Sequence, residues 1–149
     1  RWRIGFAGGP EHLIKAMKLI QSQSTSSPCS ISQKAAVAAL NGDQSVVQTM
    51  VHAFHERHDY LIRRLNAMPG IHVIPADGTF YLFPNIQNNI KQLGLTDDIQ
   101  FAAALLEKTG VALVPGTAFG TPGCIRLSFA TDIKILEDAM NRLEKFITI

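Results

Sequence analysis

Apolar positions along the chain recur with two different periods, and the dominant period changes near residue 70. At the start, Arg1-Trp2-Arg3-Ile4-Gly5-Phe6-Ala7 alternates apolar and polar residues, which predicts a strand already in full course, as in a chain that begins inside a larger fold. Gly8-Gly9-Pro10 breaks it, and Pro10 suits the first turn of a helix because its missing N–H would have no partner there. Leu13, Ile14, Met17 and Ile20 then show the three-and-four spacing of a single apolar helix face, with Lys15 and Lys18 turned away. The polar run from Gln21 to Pro28 predicts a loop. Ser30 to Leu40 is Ala-rich and predicts a second helix that stops at Asn41-Gly42. Asp43 can cap a third, long helix, in which Val47, Met50, Phe54, Leu61, Leu65 and Met68 share one side until Pro69-Gly70 ends it.

Beyond Gly70 the runs are β-rich. Ile71-His72-Val73-Ile74 and Thr79-Phe80-Tyr81-Leu82-Phe83 predict a strand pair around a turn at Asp77-Gly78. Thr96 or Asp97 caps a helix through Phe101, Leu105 and Leu106 to Gly110. A strand at Val111–Val114, a Pro115-Gly116 turn and a strand from Cys124 to Ala130 follow. A last helix begins at Thr131 or Asp132 and buries Leu136, Met140, Leu143 and Phe146. This order predicts a small α+β domain with helices packed on a mainly antiparallel sheet. The chain divides on this reading into 1–42, a connecting helix at 43–69, and a C-terminal domain at 70–149.

Composition narrows the function classes. The chain has 149 residues, 46% of them hydrophobic and 17% charged, a balance that suits a packed core. Its 14 Lys and Arg against 12 Asp and Glu are scattered, which points away from nucleic acid and from anionic membrane surfaces. No apolar run reaches the roughly 20 residues needed to cross a bilayer. Cys29 and Cys124 have no metal-ligand spacing and read as free thiols in a reducing, cytoplasmic setting.

Few residues carry recognisable chemistry. In Ile125-Arg126-Leu127-Ser128-Phe129-Ala130 the strand period puts Arg126 on the face opposite Ile125, Leu127 and Phe129, with small neighbours on its own side. A guanidinium on a rigid strand suits a carboxylate, because its planar fork makes two parallel charge-assisted hydrogen bonds. From these six residues alone, an ion-paired arginine on a sheet surface is the commoner reading. Arg3, before a Gly-Gly-Pro break and a helix, is placed to meet a phosphate or else to stand in an ordinary strand-to-helix turn. His52, His55 and His58 advance about 60° per step around a helix, which makes a three-histidine metal site implausible and a solvated face the better reading. Asp43, Asp97-Asp98 and Glu137-Asp138 read as carboxylates at helix starts.

Taken in order, Trp2-Arg3-Ile4-Gly5-Phe6, Gln21–Pro28, Gly78-Thr79-Phe80-Tyr81, Val114-Pro115-Gly116 with Phe119-Gly120, and Ile125–Ala130 resemble the fold-type I aminotransferases, closest to the bacterial aspartate aminotransferase branch. The resemblance spans the whole chain and implies the C-terminal part of an enzyme that uses pyridoxal 5'-phosphate to move an amino group between an amino acid, aspartate foremost, and a 2-oxo acid, 2-oxoglutarate foremost. It implies that Arg3 binds the cofactor phosphate, that Arg126 binds the substrate α-carboxylate at a shared site, and that Phe80 with Tyr81 belongs to an aromatic wall beside the substrate. Gln21–Pro28 matches a segment near the interface of a homodimer. The lysine holding the cofactor as a Schiff base falls upstream of residue 1, so no catalytic residue lies in the chain and the chain alone is expected to be inactive. Arg1 stands where the family usually has Gly. A second implied reading, from another class, is an aminotransferase-like ligand-sensing domain of a transcription regulator.

Overall fold

A computed structural model describes residues 2–148, so Arg1 lies outside the described residues. The element order is α1 (Glu11–Ser24), α2 (Ser30–Asn41), α3 (Ser45–Ala67), β1 (Tyr81–Leu82), α4 (Gln87–Gln92), α5 (Asp98–Thr109), β2 (Val114–Pro115), a 3-10 turn at Gly116–Phe119, β3 (Ile125–Ser128) and α6 (Ile133–Ile147). The chain forms two compact units, Arg1–Gln48 and Thr49–Ile149.

In the first unit the expected opening strand is absent among residues 2–10. A strand needs a neighbour to take its backbone hydrogen bonds, and no other strand lies among the described residues of this unit. Trp2 does offer its carbonyl to the Ser32 hydroxyl at 3.0 Å. Helix α1 starts directly after Pro10, as its fixed φ favours, but runs through Ser24 rather than stopping at Gln21. Ser22 and Ser24 return their hydroxyls to the carbonyls of Leu19 and Ile20, which lets polar residues continue a helix instead of forming the predicted loop. The apolar stripe exists but is not covered: Leu13 is 52% exposed and Ile20 69%.

The second unit carries the core. Strand β3 lies in the middle of a three-stranded antiparallel sheet, order β1-β3-β2, with Tyr81 opposite Ser128, Leu82 opposite Leu127, Val114 opposite Arg126 and Pro115 opposite Ile125. Its inward residues Ile125, Leu127 and Phe129 pack with Leu61 and Leu65 of α3, Phe101 and Leu105 of α5, and Leu136, Met140, Leu143 and Phe146 of α6. Phe101 meets Phe146 edge to face, with centroids 5.4 Å apart. This is the α/β architecture with a small antiparallel sheet that the order of elements predicts.

The predicted hairpin of residues 71–74 with 79–83 does not form. His72 makes one antiparallel bridge to Asn85 instead, and the Asn66 side chain takes both backbone groups of Val73, at 3.0 and 3.1 Å. With those groups occupied, and Pro75 without an N–H, segment 71–74 has no ladder to offer. Tyr81–Leu82 pairs with β3, after a turn in which Thr79 adopts φ 68°. The strand expected at Val111–Val114 shortens to Val114–Pro115, and α4 is an additional helix.

Candidate active site

Strand β3 fixes Arg126. Its alternation is realised: Ile125, Leu127 and Phe129 are buried, while Arg126 and Ser128 face outward. Tyr81 sits opposite Ser128, which puts its ring on the same face and diagonal to Arg126. The guanidinium carbon lies 4.4 Å from the centroid of Tyr81 and 4.4 Å from that of Phe119. Two rings thus flank one planar cation, an arrangement each half of which is favourable by about 0.5–2 kcal/mol. No acidic side chain pairs with Arg126 among the described residues; the arginine ion pairs are Arg64–Glu144 and Arg142–Asp138. The ion-paired alternative left open by the sequence is therefore not what the chain adopts.

Phe119 comes from the turn between β2 and β3, and that turn is tied down by Asp98. The Asp98 carboxylate is fully buried and accepts from the Thr117 amide at 2.7 Å, the Thr117 hydroxyl at 2.8 Å and the Gly123 amide at 3.2 Å. Burial raises its pKa, but these hydrogen bonds outweigh that and hold it below the ordinary carboxylate value. Burial of Cys124 and then the charge of Asp98 push the Cys124 thiol up. Gly116 has no room for a side chain, since a β-carbon there would lie 2.3 Å from the Thr121 carbonyl oxygen.

Phe80 stands in an adjoining aromatic row, 6.2 Å from Phe54 and 4.5 Å from Tyr81 by ring centroids. It reaches the guanidinium only through Tyr81. Arg3 belongs to the first unit, on an exposed segment with φ 52° and without an ion-pair partner among the described residues, so the expected strand alternation does not place it. Arg3 is described within that unit, and Arg126 and Phe80 within theirs.

The other candidates resolve into structure. Asp97, not Thr96, caps α5 by accepting from the Gln100 amide at 2.7 Å, and Asp98 does not cap but anchors the loop. Asp43 accepts from the Ser45 amide at the start of α3. Asp132 caps α6, so Glu137 and Asp138 lie a turn inside it, and Asp138 pairs with Arg142 at 2.6 Å. His52 and His55 are exposed beside Glu56 and Asp59. His58 departs from the solvated face: its side chain is 15% exposed, its Nδ1 faces Asp59 at 3.0 Å, and its Nε2 accepts from the Ala76 amide at 3.1 Å. No group of side chains suited to a metal ion occurs among the described residues. No described helix is long and apolar enough to cross a membrane. Both cysteines are free, Cys29 exposed and Cys124 buried.

The sequence placed Tyr81 in an aromatic wall and Phe119 in a motif, but not their contact with Arg126, and it missed Asp98 as the anchor. The strand pairing that aligns Tyr81 with Ser128 was one signal; the Phe119-Gly120 pair after Pro115-Gly116 was another.

All seven lysines, Lys15, Lys18, Lys34, Lys91, Lys108, Lys134 and Lys145, are exposed on helices. Among the described residues, neither Arg3 nor Arg126 has an acidic partner.

The family description "Aminotransferase class I and II" matches residues 1–143. An aspartate/prephenate aminotransferase of Nitrosomonas europaea is 47% identical over 99% of the chain and 38% of its own length. An aspartate aminotransferase of Bacillus subtilis is 43% identical over 98% of the chain and 37% of its length. Among solved structures, the aspartate aminotransferase of Rhizobium meliloti superposes with a TM-score of 0.85 at 41% identity, covering 99% of the chain and 38% of that protein. An aromatic aminotransferase of Pyrococcus horikoshii gives a TM-score of 0.85 at 34% identity, covering 99% and 39%. The chain spans under two-fifths of the length of these relatives. With residues 1–143 matched and identities above two in five, the chain belongs to the class I and II aminotransferases.

Proposed function

We propose that the chain is the C-terminal part of a pyridoxal-phosphate-dependent aminotransferase in which Arg126 binds the α-carboxylate of the amino acid and of the 2-oxo acid. The observation that carries this reading is the unpaired guanidinium held between Tyr81 and Phe119. With two rings close to its central carbon, the fork keeps its N–H groups for a ligand, and a carboxylate lying in its plane receives two parallel hydrogen bonds. The same rings replace part of the water around the cation, which strengthens its attraction for an anion. Phe80 extends the apolar wall beyond Tyr81 and lines the substrate side.

Arg3 would hold the cofactor phosphate. The cofactor, when bound, supplies the sink for negative charge that develops at the α-carbon. The lysine that holds it covalently is contributed from outside these residues, so the chain alone is inactive. Aspartate is the amino acid favoured by the names of several of the similar proteins, which also include asparagine and aromatic aminotransferases, and 2-oxoglutarate is the acceptor that the family resemblance implies. The protein acts as a cytoplasmic homodimer, a reading that rests on the family resemblance.

In the complete protein reconstituted with pyridoxal phosphate, aspartate and 2-oxoglutarate should exchange their amino group. Arg126→Lys should lower kcat/KM for both substrates by about 30-fold to 1000-fold, the loss of one or two charge-assisted hydrogen bonds. Steady-state kinetics of the two proteins checks this. No transfer from any common amino acid would sink the enzyme reading, and an unchanged kcat/KM in the variant would sink the role of Arg126.

A further inference from the structure

Asp98 is a fully buried carboxylate that none of the described basic side chains pairs with. Thr117 brings its amide and its hydroxyl to it, and Gly123 its amide, so the carboxylate joins both ends of the turn that carries Phe119. The rest of α5 is rigidly seated, because Phe101, Ala102 and Leu105 follow in the core. Phe119 itself is 46% exposed, and its ring contacts are Phe83, edge to face at 6.1 Å, and the Arg126 guanidinium. So little packing of its own holds the ring that its position comes from the backbone of the turn. The guanidinium carbon lies 4.4 Å from the centre of that ring, so the ring restricts how the fork can turn, and a carboxylate must lie in the plane of the fork to receive both hydrogen bonds.

We infer that Asp98 is a positioning residue for carboxylate binding: it fixes the turn at Thr117 and Gly123, the turn fixes Phe119, and Phe119 fixes the plane of Arg126. This inference rests on the reading of Arg126 given above. It assigns to a buried residue outside the substrate contacts a part in recognising the substrate class, and it requires no charge on the ligand beyond one carboxylate.

The test uses the complete protein with pyridoxal phosphate. In Asp98→Asn, the amide nitrogen cannot accept, so one donor of the turn loses its partner. KM for both the amino acid and the 2-oxo acid should rise about tenfold, with kcat within about twofold of the parent, the pattern of a lost binding interaction that is shared by ground and transition states. Phe119→Leu should raise KM similarly. Because one residue acts through the other, the double variant should show less than the product of the two effects. If Asp98→Asn does not fold by circular dichroism, Thr117→Val removes a single bond and should raise KM about threefold. An unchanged KM in a folded variant overturns the inference, as does a double variant whose effects multiply. Arg126→Lys separates the layers: if it leaves KM unchanged, the carboxylate role itself fails, and if it raises KM while Asp98→Asn does not, only the positioning role fails.

Discussion

Asp97 and Asp98 are adjacent and do different work. Asp97 stays at the surface and satisfies an amide of its own helix, while Asp98, a step of about 100° further round, points into the unit and satisfies donors 19 and 25 residues away. Both read as helix-start carboxylates in the sequence, and only the local one could be recognised there, because the partners of the other arrive through the fold. The difference has a pH signature. Asp98 has a lowered pKa in the folded chain, so its hydrogen bonds stabilise the fold fully above the pKa of an unfolded aspartate, and that contribution is lost as pH falls through the lowered folded value. Denaturant unfolding of the parent and Asp98→Asn, run from neutral to about pH 3, should therefore show a stability gap that narrows toward acid. A gap independent of pH would mean that the charge on Asp98 is irrelevant to the fold. At the same scale, the outward direction of Arg126 was legible from strand period alone, whereas its freedom from ion pairing was not, since that depends on which acids fold near it.

Helices with clear caps were the legible elements, whereas α4 was not foreseen and α1 runs past its expected end. Helix α5, closed by Asp97 and by Gly110 at φ 73°, begins and ends where its caps predict, and helix α6 begins after its cap Asp132. Strands are different, because each needs a partner chosen by the whole unit: segment 71–74 lost its partner to a side chain, Asn66, and residues 2–7 had none. His58 belongs with this class of long-range ties. Its Nε2 holds the Ala76 amide, joining α3 to the segment that leads to Thr79 and Phe80. His58→Phe preserves the ring volume that meets Phe129 at 6.1 Å but leaves that amide without an acceptor. The expected cost is about 1–3 kcal/mol, with faster amide hydrogen exchange at Ala76 than in the parent. Unaltered exchange there would show that the bond contributes nothing.

Across the chain, burial is divided unequally. Every apolar side chain of the buried core lies between Leu61 and Ile147, and α1 contains no buried residue at all. The fold class followed from the sequence because the strand and helix patterns beyond residue 70 agree with the packing they form. The degree of cover in the first 48 residues could not follow, since an amphipathic pattern says which face wants burial and not what supplies it. Studied as this 149-residue chain, amides of α1 and α2 should exchange with solvent orders of magnitude faster than those of Leu65, Leu105 and Leu143. Equal protection by mass spectrometry would contradict a separate, weakly stabilised first unit. The uncovered stripe also sets the colloidal behaviour of the chain. With a net charge of only +2, there is little mutual repulsion to keep such faces apart, so salt, which screens what repulsion there is, works against solubility. Leu13, Met17 and Ile20 are then the places where polar substitutions should keep the chain dispersed without touching the residues around Arg126.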